Sequence, residues 1–177
     1  MSGKLTLISS ATASGSSSVE FTSGIDSTYD EYVFYFVDVN PATDNVLFEF
    51  EGSVSGSFGV TKTTTAYEVW HDEAGTASGL NYVTGKDLAQ STDPQYLAWL
   101  VGNGADESCV GELHLFSPSS TSKVKHFYSK NQYNDKNNYS VNTYTAGYFN
   151  TTSAIDGTKF SMSSGNFDGN IYLFGVS

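Results

Sequence analysis

A chain of 177 residues with 12 Tyr, 12 Phe and only 3 Pro is long enough to bury a core unaided, and its large aromatics suit a pleated, half-buried surface. With 19 acids against 8 lysines, no arginine and a formal charge of −11, it lacks the guanidinium fork that reads phosphate and guanine and it repels polyanions. Nucleic acid and an anionic membrane surface are therefore excluded as expected partners. The single cysteine, Cys109, allows no internal disulfide and reads as a buried thiol, which points to folding in a reducing cytoplasm. No signal-peptide pattern and no run of about 18 apolar residues occurs, so neither a signal peptide nor a membrane span is expected.

Taken in chain order, strand-like runs near 4–8 and 17–22 bracket a Ser-rich stretch, Ser9 to Ser18. Residues 1–18 read as a partly extended, mobile arm. Next comes a meander, two β-rich runs around the turn Asn40-Pro41-Ala42-Thr43-Asp44-Asn45. The first run places Tyr32, Phe34 and Phe36 on one side and Val33, Tyr35, Val37 and Val39 on the other, the pattern of a strand covered on both faces. In the second, Val46, Phe48 and Phe50 alternate with Leu47, Glu49 and Glu51, so one side should be wet. Further strands are expected near 54–60, 65–71, 110–116, 123–129, 139–149, 158–163 and 170–176. The stretch from Gly85 to Val101 breaks this rhythm. Pro94 suits a first helical position and Gly102 a stop, so one short helix around 87–100 is allowed. The whole reads as an all-β, antiparallel β-sandwich or jelly roll formed by residues 1–177 as one domain. Its core should hold Phe34, Phe36, Phe48, Phe50 and Leu173.

Ser23-x-Ile25-Asp26-x-Thr28 and Ser153-x-Ile155-Asp156-x-Thr158 are alike, and each precedes an aromatic strand, so both should mark one kind of corner. The sequons at Asn138 and Asn150 are chance in a chain this rich in Asn, Ser and Thr.

Catalytic chemistry finds little footing. His71, His114 and His126 lack metal-ligand spacing and read as sheet-face histidines. Asp30-Glu31, Asp72-Glu73 and Asp106-Glu107 are sequence neighbours, and on a strand neighbours point to opposite faces, so they build no glycosidase pair. Asp38, Asn40, Asp44 and Asn45, and likewise Asn166, Asp168 and Asn170, are turn residues without the ligand order of a calcium loop. Nucleophile elbows, P-loops and dinucleotide fingerprints are missing. The chain is therefore expected to be no enzyme, with no catalytic residues, no metal and no cofactor. Residues 128–150 offer a different chemistry: Tyr128, Tyr133, Tyr139, Tyr144 and Tyr148 among many Asn make a candidate binding surface for protein or sugar. The competing reading is a wet sheet face with a long Asn-rich hairpin loop.

The aromatic strand following Ser23-Gly24-Ile25-Asp26, the turn Asn40-Pro41-Ala42-Thr43-Asp44, and the ending Met162-Ser163-Ser164-Gly165-Asn166-Phe167-Asp168-Gly169-Asn170-Ile171-Tyr172-Leu173-Phe174-Gly175 are similar to a group of small virion proteins of tailed phages. Marine phages give the strongest likeness. It spans about Val19 to Val176 and consists of turns and strand aromatics, so no binding residue carries over. What it implies is a non-enzymatic β-sandwich on the exterior of a phage virion, assembled in the host cytoplasm, in the tail or fibre apparatus or as a capsid decoration (cement) protein. Expected partners are other copies of itself, a trimer first among them, and other virion proteins. A lectin-like carbohydrate-binding module, using Tyr and Trp as platforms for a host surface glycan, is the alternative from a different class.

Overall fold

The computed structural model describes residues 3–177. Among them there is no helix; thirteen strands form two antiparallel sheets. In chain order these are β1 (Leu5–Ser16), β2 (Ser18–Phe21), β3 (Glu31–Pro41), β4 (Val46–Val54), β5 (Ser57–Phe58), β6 (Lys62–Asp72), β7 (Ser78–Tyr82), β8 (Gln95–Val101), β9 (Cys109–Phe116), β10 (Lys125–Asn134), β11 (Tyr139–Phe149), β12 (Gly157–Met162) and β13 (Phe167–Val176). The large sheet has eight strands in the order β1-β13-β3-β9-β10-β11-β6-β7, and the small sheet runs β2-β12-β4-β5 with β8 also paired to β4.

The two sheets meet over a phenylalanine core. Phe160 of β12 is its hub, with ring centroids 5.2 Å from both Phe34 and Phe36 of the large sheet and 6.2–6.4 Å from Phe21, Phe48 and Phe50. Phe34, Phe36, Phe48, Phe50 and Leu173 all sit in this core at 1% exposure or less. Alternation along each strand sends these side chains inward while their neighbours point out. Both Ile-Asp corners fit the same design. Ile25 and Ile155 are buried, Asp26 ties the Tyr32 hydroxyl and the Thr28 amide, and Asp156 accepts from Ser53.

Several expectations change. Residues 95–101 are a strand, not helical turns. Pro94 stands just ahead of it, and β8 pairs β4 from Phe50↔Gln95 to Val46↔Val101. A short apolar run is ambiguous between helix and strand until a pairing partner decides it, and the edge of β4 decides it here. The Ser-rich stretch is ordered as well. β1 runs along β13 from Leu5↔Val176 to Ser16↔Phe167, then crosses to the small sheet past Gly15, whose φ of 57° a side chain would strain. Instead of one strand over 54–60, Val54 ends β4 and only Ser57–Phe58 form a strand of their own, paired with Val54 and Ser53.

Two face assignments also move. Val39 is fully buried, because a bulge between Phe36 and Val39, with Asp38 at φ 53°, turns it inward. Glu49 and Glu51 are 9% and 8% exposed rather than wet, with Glu51 in an ion pair with Lys159. On β3 the inner side chains are covered by the small sheet; of the outer ones Val33 is buried among its neighbours on the face at 1% exposure, while Val37 is 38% exposed.

Truncating the hub is the sharpest test of this core. Phe160→Ala should cost about 3–5 kcal/mol, the usual loss for a buried Phe, read as a lowered urea midpoint. A loss below about 1 kcal/mol would mean that the two sheets are not joined through this ring.

Candidate functional site: the outer face of the large sheet

Cross-strand registry lines up side chains in rows over the outer face. One row crosses all eight strands: Ser10, Tyr172, Tyr35, Glu112, Lys130, Tyr144, Tyr67 and Tyr82. Beside it run Leu7, Phe174, Val33, His114, Tyr128, Ala146 and Thr65. Tyr67 and Tyr144 stack with centroids 4.8 Å apart and planes 8° from parallel, and His114 stacks on Tyr128 at 4.5 Å. Among the described residues, every large hydrophobic side chain left exposed, except Leu100, lies on this face. Leu80 at 70% and Leu7 and Tyr82 at 55% are the most open. Within the paired rows the charged side chains are Glu31, Glu112, Asp168 and Lys130. A chain of −11 therefore carries a broad face that is close to neutral.

The five candidate tyrosines do not form one surface. Tyr128, Tyr144 and Tyr148 belong to the outer face, while period-two alternation sends Tyr133 and Tyr139 to the inner one. Tyr133 is only 2% exposed, and its hydroxyl accepts the Trp99 amide at 3.2 Å. Burial pushes that phenol well above its usual pKa. Tyr139 is half-buried and stacks on Trp70 at 5.2 Å. The Asn-rich loop is in fact a tight turn. Asp135 accepts the amides of Asn137 and Tyr139, and Asn138 takes φ 61°. Sequence reading missed Tyr35, Tyr67, Val69, Leu80, Tyr82 and Tyr172. The usable signal was the apolar residues on both sides of β3 and β13, of which the small sheet lies over one side.

His114 is held by its outer-face neighbours. Its Nδ1 lies 2.6 Å from Glu31 Oε1 and its Nε2 3.6 Å from Glu112 Oε2. Burial first, then those two carboxylates, raise the pKa of the Tyr128 phenol beside it. His71 and His126 stand apart from it on the same face. The proposed turn ligands are used structurally: Asn40 Nδ2 donates to the carbonyls of Gly104 and Glu107, and Asp168 accepts the Gly15 amide. Among the described residues no three His, Cys, Asp or Glu side chains converge as a metal site would require. Cys109 is buried, and burial pushes its thiol up to about 12, far from a reactive thiolate.

On the opposite side of the molecule Glu49 titrates above the usual carboxylate range, through burial and then the charge of Glu51. Lys62 is fully buried. It donates to the Val60 carbonyl at 3.2 Å, and burial lowers its pKa to about 8. Comparison of the chain with protein-family models, with curated proteins and with solved structures finds no match.

Lys62 makes stability depend on pH in a defined direction. Below about pH 8 the folded chain buries a charged ammonium; between about 8 and 10.5 it sheds a proton that the unfolded chain keeps, so this residue's contribution to stability rises with pH. Lys62→Met should therefore melt higher than wild type at pH 7, with the gap closing as pH climbs through that window. A gap that stays constant with pH would contradict a buried charged lysine.

Proposed function

We propose that this chain is a non-enzymatic structural component on the exterior of a tailed-phage virion, associated with the tail or its fibres, and that the outer face of the large sheet holds it in place. The observation that carries the docking role is the concentration of exposed Leu, Val and Tyr on one nearly neutral face. Isolated exposed apolar residues are ordinary on a monomer, but a contiguous patch marks an interaction surface. The resemblance in the early meander and the C-terminal strand supports the virion setting.

Charge selects the geometry of assembly. Packing copies that carry −11 each is opposed by repulsion, which is weakest where few acids lie. Contact through this face buries rings and aliphatic groups and keeps most carboxylates in water. The occupant is a second copy of the chain, closing into a symmetric homo-oligomer with a trimer as the leading form, itself seated on other virion proteins.

Sedimentation velocity at micromolar concentration tests the docking role. Wild type should associate, and more strongly at about 0.5 M salt, where the Debye length is roughly 4 Å. Val69→Lys with Val110→Lys should stay monomeric at an unchanged melting temperature, although it lowers the net negative charge. Antibody against the chain should decorate the outside of phage particles in electron micrographs. A wild-type chain that stays monomeric, or particles that carry no label, would overturn the respective half of the proposal.

A further inference from the structure

We propose that a crevice at the end of β8, separate from the outer face, binds one neutral pyranose ring, the terminal unit of a glycan. It opens because the small sheet stops short. β8 crosses over β10 and β11, with the Leu97 carbonyl accepting from Asn131 Nδ2 at 3.0 Å and Thr143 Oγ1 at 2.7 Å. Among the described residues, none beyond Val101 covers the end of the inner side of β6 and β11 around Trp70 and Tyr139. The gap left there measures about 170 Å3 and is lined by Trp70, Trp99, Tyr133, Tyr139, Glu68 and Asn137, among others.

Size and chemistry narrow the occupant. Drug-sized ligands and cofactors take about 300–1,000 Å3, so this crevice admits a single ring. A pyranose is amphipathic, with C–H groups on its faces and hydroxyls around its rim. The C–H groups suit the negative face of an aromatic ring, and the half-buried Trp70–Tyr139 stack supplies such rings. The hydroxyls need both donors and acceptors. The Tyr133 hydroxyl accepts the Trp99 amide, but its own proton meets no acceptor among the described residues, which leaves it a donor in a buried wall. Glu68 Oε2 accepts the Trp99 indole N–H at 2.6 Å, while Oε1 has only the Asn81 amide nearby, at 3.3 Å, and so retains acceptor capacity. Glu68 and Asp135 line the crevice with no cation among its lining residues, which selects against sialic and uronic acids.

Backbone strain at the rim is an independent sign. Leu100 holds φ 59°, a conformation bulky side chains avoid, and remains 38% exposed beside the opening. It is fixed by a break in the β4–β8 register and by the Lys136 amide donating to its carbonyl at 2.9 Å. Such strain persists where the surroundings impose it, and it gathers at ligand clamps. None of this depends on the virion assignment, which fails or stands separately.

Trp70 and Trp99 are the only tryptophans in the chain, so its indole signals report directly on this crevice. The test titrates the full-length, 15N-labelled protein with methyl glycosides of neutral sugars, following Trp emission and the two indole N–H cross-peaks. Sialic acid and a proline-rich peptide serve as contrasting probes. Expected is a saturable shift of both cross-peaks with at least one neutral glycoside at millimolar concentration, and none with sialic acid or the peptide. Tyr139→Ala, which removes half of the platform at the rim, should weaken that binding by about tenfold while leaving the dispersion of core amides intact. No saturable shift with any glycoside, an equal response from Tyr139→Ala, or a response to the peptide or sialic acid alone would overturn the assignment.

Discussion

Everything else in this molecule depends on a mismatch of cover. Phe160 and the rings around it fasten the small sheet to the inner face of the large one, and burying those rings supplies the main driving force for folding. Eight strands spaced about 4.8 Å apart make a surface roughly 34 Å wide, whereas a sheet four strands across covers roughly 14 Å. The small sheet is at most four strands across, since β5 and β8 share one side of β4 at different heights. One layer therefore cannot cover the other. Among the described residues, no second layer lies over the outer face of the large sheet or over the far end of its inner face.

Those two uncovered regions differ in character. The outer face is wide, flat and aromatic, and its rows are set by strand registry rather than by loops, so its side chains are held on rigid backbone. Rigid aromatic anchors lose little side-chain entropy on docking, which favours protein contact over a flat area. The crevice by β8 is small and mixed, with rings on its walls and polar groups at its rim. It is clamped by the β10–β11 turn, where the Lys136 amide reaches back to β8. One fold thus leaves a broad apolar face and a confined crevice on different sides of the same sheet.

Much of the core could be read from the sequence, because period-two alternation is a local signal. Phe34, Phe36, Phe48, Phe50 and Leu173 fall inside for that reason. What stayed hidden depends on partners distant in the chain. β8 looks helical until β4 lies beside it, and β1 looks like an arm because serine carries no apolar period, although its backbone runs along β13 from end to end with two bulges. Val39 and the carboxylates of Glu49 and Glu51 depended on a bulge and on a lysine from another strand. The candidate site was half legible. Tyr128, Tyr144 and Tyr148 do share a face, but Tyr133 and Tyr139 have the opposite parity, and Tyr35, Tyr67, Tyr82 and Tyr172 join the surface only through registry across strands far apart in the chain.

The central claim is that the outer face is open in the single chain and covered in the assembled state. Hydroxyl-radical footprinting, read residue by residue by mass spectrometry on dilute chain and on the assembly, tests it most directly. The account predicts strong labelling of Leu7, Tyr67, Leu80, Tyr82 and Tyr128 in the dilute chain and protection of the same residues once assembled, with Phe34 and Phe160 unlabelled in both. Equal labelling of those five residues in the two states would contradict it.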